Sequence, residues 1–279
     1  MTTHPVKEVV LCADDYALNA PVSQGIVALA VLGRLSATSV MSLSPRWVED
    51  AAALRDVRER LDVGVHLDWT SRFAVAAGFG SGLGAVMVRA ALRRYDVKAV
   101  EAEIERQLEA FEAQWQAPPD HIDGHQHIQQ FPVLRDALAH VLLRRYGGAS
   151  VRPWLRVSHV AQPGLKAKVI SHMGAHALQQ WAERETWPTV GPLLGAYGFE
   201  GGLDDYAHHM QSWLACLPDA SPALIMCHPA VSAQTDDAIG AARKREFAYL
   251  ASHDFVQHML DAGVRLVRGS GKPIDPWAL

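Results

Sequence analysis

The sequence predicts an α/β fold of the β/α type, and three observations predict it. Apolar runs of strand length recur along the chain, several ending in ionisable side chains. Segments with apolar residues every three or four positions lie between them. No internal repeat or low-complexity linker divides the 279 residues, of which 49% are hydrophobic, so one domain spanning 1–279 with one large core is expected.

Val9–Ala13 opens the chain as a buried strand and stops at Asp14 and Asp15, the place where β/α units carry their sites. Adjacent residues diverge, so one carboxylate can bind a cation while the other takes a proton. Pro21–Ala30 reads as a helix with proline near its start, ended by Gly33, and Ala37–Ser42 as a second strand. Asp50–Arg60 is helical. Leu61–Asp68 repeats the first pattern, a short apolar segment delivering His66.

Residues 72–89 are glycine-rich. The run GFGSGLG (78–84) lacks the strand-turn-helix setting of a dinucleotide site and reads as a loop over a barrel mouth or a plain surface excursion. Lys98–Trp115 is the clearest helix, stopped by Pro118-Pro119. In the segment that follows, Asp123, His125 and His127 share a face if the chain is extended. A strand repeat carries His125 and His127 to different depths of one pocket, so one can hold a metal while the other orients substrate. A helix through Leu134, Leu138 and Leu142 ends at Gly147-Gly148.

Val151–Trp154 reads as a strand end presenting Arg152 and Trp154, a pair suited to a sugar's hydroxyls and apolar face; a surface arginine beside a half-buried ring is the alternative. His208 and His209 read as surface or lid residues. Ala223–Cys227 restores the pattern and ends in His228; Ala241–Leu260 follows as a terminal helix and Val264–Val267 as a short strand. Trp181 and Trp187, taken as exposed rings, suggest a homodimer.

The net charge of −4 and pI near 6.4, with scattered Lys and Arg, exclude a basic field for nucleic acid. No run approaches the length of a membrane span, and the first residues carry none of the features of a secretory leader. Cys12, Cys216 and Cys227 form no CxxC pair and suit a reducing compartment, so a cytoplasmic enzyme is expected. One carboxylate and two imidazoles from separate strand ends suit a divalent cation with open water positions, which points to hydrolysis.

Taken together, ADDYALN, GVHLD, DGHQH and MCHPA resemble, in that order, the YdjC-like carbohydrate deacetylases. The resemblance implies a distorted, incomplete TIM-like (β/α) barrel with excursions near its mouth. It also implies one divalent metal, zinc or magnesium, and removal of an acetyl group from an N-acetylated sugar, oligosaccharide or sugar-lipid. By position it makes Asp15, His66 and His125 the metal ligands, Asp14 the general base and His228 the general acid. Other metal-dependent amide or phosphoester hydrolysis and noncatalytic sugar binding are the rival readings. Two departures stand out. Tyr16-Ala17 replaces the family's common Phe-Gly, which argues that no positive φ is needed there, and Gln129 stands where a further histidine is common.

Overall fold

The computed structural model describes residues 6–159 and 173–274. Nine strands among them form one sheet: β1 (Lys7–Tyr16), β2 (Ala37–Val40), β3 (Asp62–Leu67), β4 (His121–Gly124), β5 (Trp154–Arg156), β6 (Thr189–Val190), β7 (Leu193–Leu194), β8 (Ala223–Cys227) and β9 (Val264–Leu266). Their order is β6-β5-β4-β3-β2-β1-β8-β7, every pair parallel, with β9 on the first residues of β1. The two ends of that order are neighbours in sequence. Thr189 and Val190 pair with β5, Leu193 and Leu194 pair with β8, and only residues 191 and 192 lie between. The sheet therefore curls until its edges meet, giving a distorted, incomplete TIM-like barrel with a seam two residues deep on either side.

Period-two alternation sorts each strand into two faces. Val9, Leu11 and Ala13 face the helical shell and join the large core, whereas Val10 and Cys12 join a second cluster with Ala37, Trp154, Leu193, Leu224 and Met226 inside the barrel. Continuing that inner row to the strand ends reaches Asp14, His66, Asp123, Arg156 and His228.

The helices are α1 (Ala20–Val31), α2 (Arg46–Arg55), α3 (Arg72–Ala76), α4 (Leu83–Ala91), α5 (Val97–Trp115), α6 (Leu134–Tyr146), α7 (Ala175–Arg184), α8 (Leu203–Ala215), α9 (Gly240–Ala251) and α10 (His253–Asp261). The expected apolar stripe of α5, Val100, Ile104, Leu108, Phe111 and Trp115, is buried, with Phe111 stacked on Trp47 of α2 at 5.5 Å. Asn19 caps α1, its Oδ1 accepting from the Val22 amide at 3.0 Å.

Three expectations are corrected and one is refined. The glycine-rich run is irregular at 78–82, as a loop reading expects, but α3 and α4 flank it directly and the Gly80 and Ser81 amides are tied to the Ala74 and Trp69 carbonyls. Residues 241–260 are two helices, because Ser252 is extended and its hydroxyl caps α10 through the Phe255 amide. The strand expected to end at Trp154 begins there. Trp187 is buried and packs against Trp181 at 5.5 Å, which removes the exposed rings on which a homodimer was inferred.

Candidate functional site

β1 ends in a bulge: its register to β2 slips between Ala13 and Tyr16, and Asp15 and Ala17 take φ of 71° and 70°. Asp14 stays on the inner row while Asp15 is turned towards the strand ends, which is how two neighbours serve different places. The expectation that Ala17 needs no positive φ is wrong. Its amide donates to Ser23 Oγ at 3.1 Å while its carbonyl accepts from Ser44 Oγ at 2.6 Å, and these two bonds hold the left-handed conformation against its steric cost.

Asp15, His66 and His125 each place one ligand atom within 4.8 Å of the others. Asp15 Oδ1 lies 3.4 Å from His66 Nε2 and 3.1 Å from His125 Nδ1. Its other oxygen accepts from Arg243 Nη2 at 2.7 Å, and Arg243 Nε also donates to Asp237 at 2.7 Å. His66 Nδ1 lies 2.6 Å from Asp123 Oδ1, a carboxylate backing an imidazole that leaves Nε2 facing Asp15. Burial alone would push the His66 pKa down; Asp123 and Asp15 outweigh it and hold it up at about 10. For Asp15, burial pushes the carboxyl up, but Arg243 and His125 keep it well below the usual carboxylate range.

Behind this trio lies Arg156, fully buried at the end of β5. It grips Asp14 with two bonds, Nη1 to Oδ2 at 2.7 Å and Nη2 to Oδ1 at 2.6 Å, and reaches Asp123 Oδ2 at 2.7 Å. Burial opposes ionisation of Asp14; the guanidinium wins, and its pKa is lowered. His228 Nε2 stands 3.9 Å from Asp14 Oδ2, and its Nδ1 is buried with no hydrogen-bond partner among the described residues.

Gly64, the glycine of GVHLD, is required by packing. A Cβ there would sit 2.4 Å from the His121 ring, so β3 and β4 approach only because none exists. Asp68 of the same motif is structural, its Oδ1 accepting from the Thr70 and Ser71 amides at 3.0 and 2.8 Å.

Past Gly124 the chain leaves the extended conformation, with Gln126 and His127 at φ 55° and 63°, so Asp123, His125 and His127 do not share one face. His125 goes to Asp15, whereas His127 Nδ1 lies 3.0 Å from Ser158 Oγ and the ring stays outside the trio. Burial and then Arg156 push the His127 pKa down to about 3, so this imidazole is neutral. Gln129 Nε2 donates to the Arg156 carbonyl at 3.1 Å and pins the end of β5.

A cavity of ≈ 920 Å³ opens over these strand ends, lined by Asp14, Asp15, His66, His125, His127 and His228 among others. Arg152 and Trp154 do not line it. Arg152 donates to the Glu185 and Gly147 carbonyls and lies over the Trp187 ring, and Trp154 is buried in the barrel with Nε1 bonded to Asp62 at 2.9 Å. The residue that the strand presents at the site is Arg156, two positions further along the same face. It and Arg243 are the site residues that reading the sequence missed.

Architecture and site together define an α/β barrel protein with a candidate divalent-cation centre at the carboxyl ends of its strands. Residues 8–261 match the family model described as YdjC-like protein, and the chain belongs to that family. A structure from Enterococcus faecalis V583, provisionally described as a cellobiose-phosphate cleavage protein, superposes with a TM-score of 0.71 at 21% identity, covering 94% of this chain and 97% of that one; the likeness is one of fold. A family 4 carbohydrate esterase from Streptomyces lividans in complex with acetate gives a TM-score of 0.41 at 10% identity over 98% of this chain and 95% of that one, too slight to carry an argument. No curated protein matches the chain significantly. Among the described residues no helix is long and apolar enough to cross a membrane.

Proposed function

We propose that the chain is a metal-dependent N-deacetylase acting on an N-acetylated sugar, free or attached to an apolar group. The observation that carries this reading is the convergence of Asp15, His66 and His125 beside Asp14 and His228 at the mouth of one cavity. The donor set fits a divalent cation: Arg243 occupies one Asp15 oxygen and leaves the other to face two imidazoles, one of them backed by Asp123. Of zinc and magnesium, two nitrogen donors favour zinc. When bound, the cation would polarise the acetyl carbonyl and acidify a water.

The chain's own groups handle the protons. Arg156 fixes the Asp14 carboxylate and keeps it ionised, ready to take the proton of the attacking water at Oδ2. His228 Nε2, on the same side of the cavity, delivers a proton to the departing amine nitrogen. His127, neutral and anchored on Ser158, offers a hydrogen bond to the substrate.

Leu18, Leu83, Met87, Phe131, Met173 and Phe199 are among the other residues that line the cavity, together with polar ones such as Asn19, Thr70 and Gln126, which supports a substrate with an apolar portion beyond the sugar ring. The cations described on its wall, Arg72 and Arg243, are each paired with carboxylates, at 3.1 Å to Asp236 and 2.7 Å to Asp15. That pairing favours an uncharged sugar over a sugar phosphate. Three free cysteines agree with a cytoplasmic setting.

Mass spectrometry of N-acetylated monosaccharides, oligosaccharides and glycolipids incubated with the zinc- or magnesium-loaded protein tests the reading. Metal-dependent loss of one acetyl group is the expected result. Turnover confined to phosphoesters or to other amides would replace the reaction, and sugar binding without turnover would replace the enzyme.

A further inference from the structure

One face of α4 is apolar, basic and turned to solvent. Residues 69–95 contain Arg72, Arg89, Arg93 and Arg94 and no aspartate or glutamate, in a chain whose net charge is −4. Within that stretch α4 divides its sides three ways. Val86 and Ala90 are buried, Leu83 and Met87 line the cavity, and Ala85, Val88, Arg89 and Leu92, spaced three and four apart, are exposed. Val88 and Leu92 are 58% and 55% exposed, and Val75 of α3, the preceding helix, is 52% exposed, so three aliphatic side chains of this stretch lie where water meets them. A helix apolar on every side is expected in a core or against lipid, and this one is at the surface.

We propose that this face docks on an anionic membrane surface, with Val75, Val88 and Leu92 entering the headgroup boundary and Arg89, Arg93 and Arg94 meeting lipid phosphates. Charge complementarity selects that partner: aliphatic side chains interleaved with arginines and free of carboxylates match the anionic interface of a bilayer, and arginine suits phosphate. Two acidic groups reach the arginines of this stretch, Asp136 of α6 at 3.4 Å from Arg93 and Asp236 at 3.1 Å from Arg72, and each offsets part of one charge. Because Leu83 and Met87 belong to the same helix, docking would set the cavity mouth beside the lipid. The inference concerns binding alone and stands whether or not the proposed reaction is correct.

Co-sedimentation of the full chain with phosphatidylglycerol vesicles and with phosphatidylcholine vesicles, at low and high salt, tests it. Binding to the first and not the second, weakened by salt, is expected. Val88→Asp with Leu92→Asp, and separately Arg89→Gln with Arg94→Gln, should each lower the partition coefficient by about tenfold or more, since each lost basic contact is worth about 1 kcal/mol. Melting temperatures close to that of the parent chain will show that the variants fold. No vesicle binding, equal binding to both lipids, or full binding by both variants overturns the proposal. So does a dimer of the parent chain that the Val88→Asp and Leu92→Asp changes dissolve, because the face would then be covered by a second copy.

Discussion

The two ends of the barrel interior are built from the same parts and finished differently. At the bottom, Asp62 accepts four bonds: Arg268 Nε at 2.9 Å and Ser270 Oγ at 2.5 Å on one oxygen, Trp154 Nε1 at 2.9 Å and the Ser270 amide at 2.8 Å on the other. At the top, Asp14, Asp15 and Asp123 also meet arginines, but there Asp14, Asp15, His66 and His228 line the cavity. A charge sealed among its own partners holds a fold closed, whereas one that fronts a cavity can meet a ligand. The same buried ion pair thus has opposite meanings at the two ends, and substitutions should separate them.

Removing a proposed metal ligand should have the largest effect. Asp15→Ala, His66→Ala or His125→Ala is expected to lower bound zinc and turnover together without disturbing the bottom; normal metal content in all three by elemental analysis would refute the assignment. Because His66 holds its proton up to about pH 10, a cation has to displace it, so apparent zinc affinity should rise with pH across the neutral range and calorimetry should detect a released proton.

Next come the proton-transfer groups. Asp14→Asn and His228→Ala should keep the metal and slow the chemical step roughly 10²- to 10⁴-fold. An activated acetyl ester, whose leaving group needs no acid, should partly rescue His228→Ala and leave Asp14→Asn slow. Equal rescue of both, or of neither, would reverse or cancel the two roles.

Asp62→Asn should reverse the balance, costing about 3–5 kcal/mol of stability by stranding Arg268 while metal content stays normal. Burial pushes the Asp62 carboxyl up, but bonds from Ser270, Trp154 and Arg268 bring it below the ordinary carboxylate value. A lowered folded pKa gives stability that is complete above the unfolded value and is lost as pH falls through the folded one. Urea midpoints below pH 4 should therefore fall less steeply in Asp62→Asn than in the parent; parallel slopes would mean that the pair contributes nothing at this end.

The smallest effect belongs to the bulge. Ala17→Gly relieves a left-handed alanine but loosens the unfolded chain and removes a buried methyl, so stability should change by less than about 1 kcal/mol. A larger loss would show that the methyl, not the backbone bonds, holds the turn.

Asp14, Asp15, His66 and His228 were legible because each sits at or just past the end of an apolar run, and strand ends are fixed by local pattern; His125 follows no such run and was legible through DGHQH and the family it resembles. Arg156 was not, because β5 is three residues long and follows Pro153, so the reading stopped at Trp154, where the strand starts. Following the period of two through WLR to Arg156 would have found it. Arg243 lies in AARKRE, which reads as a solvated helix face, and only the packing of α9 over the strand ends buries it. The barrel's β/α alternation followed from periodicity. Its seam did not, since strands of two residues leave no periodic signal.

That β1 pairs with the two strands of the sheet latest in sequence has a consequence during synthesis. β1 is translated before the other strands of the sheet, yet Val9–Ala13 must wait for residues 223–227 and Lys7–Val9 for residues 264–266 before those edges are covered. An apolar edge of unpaired amides and carbonyls is left exposed while more than two hundred further residues are translated. Pairing across such a separation also makes closure slow, so nascent and truncated chains that stop short of β8 should depend on chaperones to stay out of aggregates.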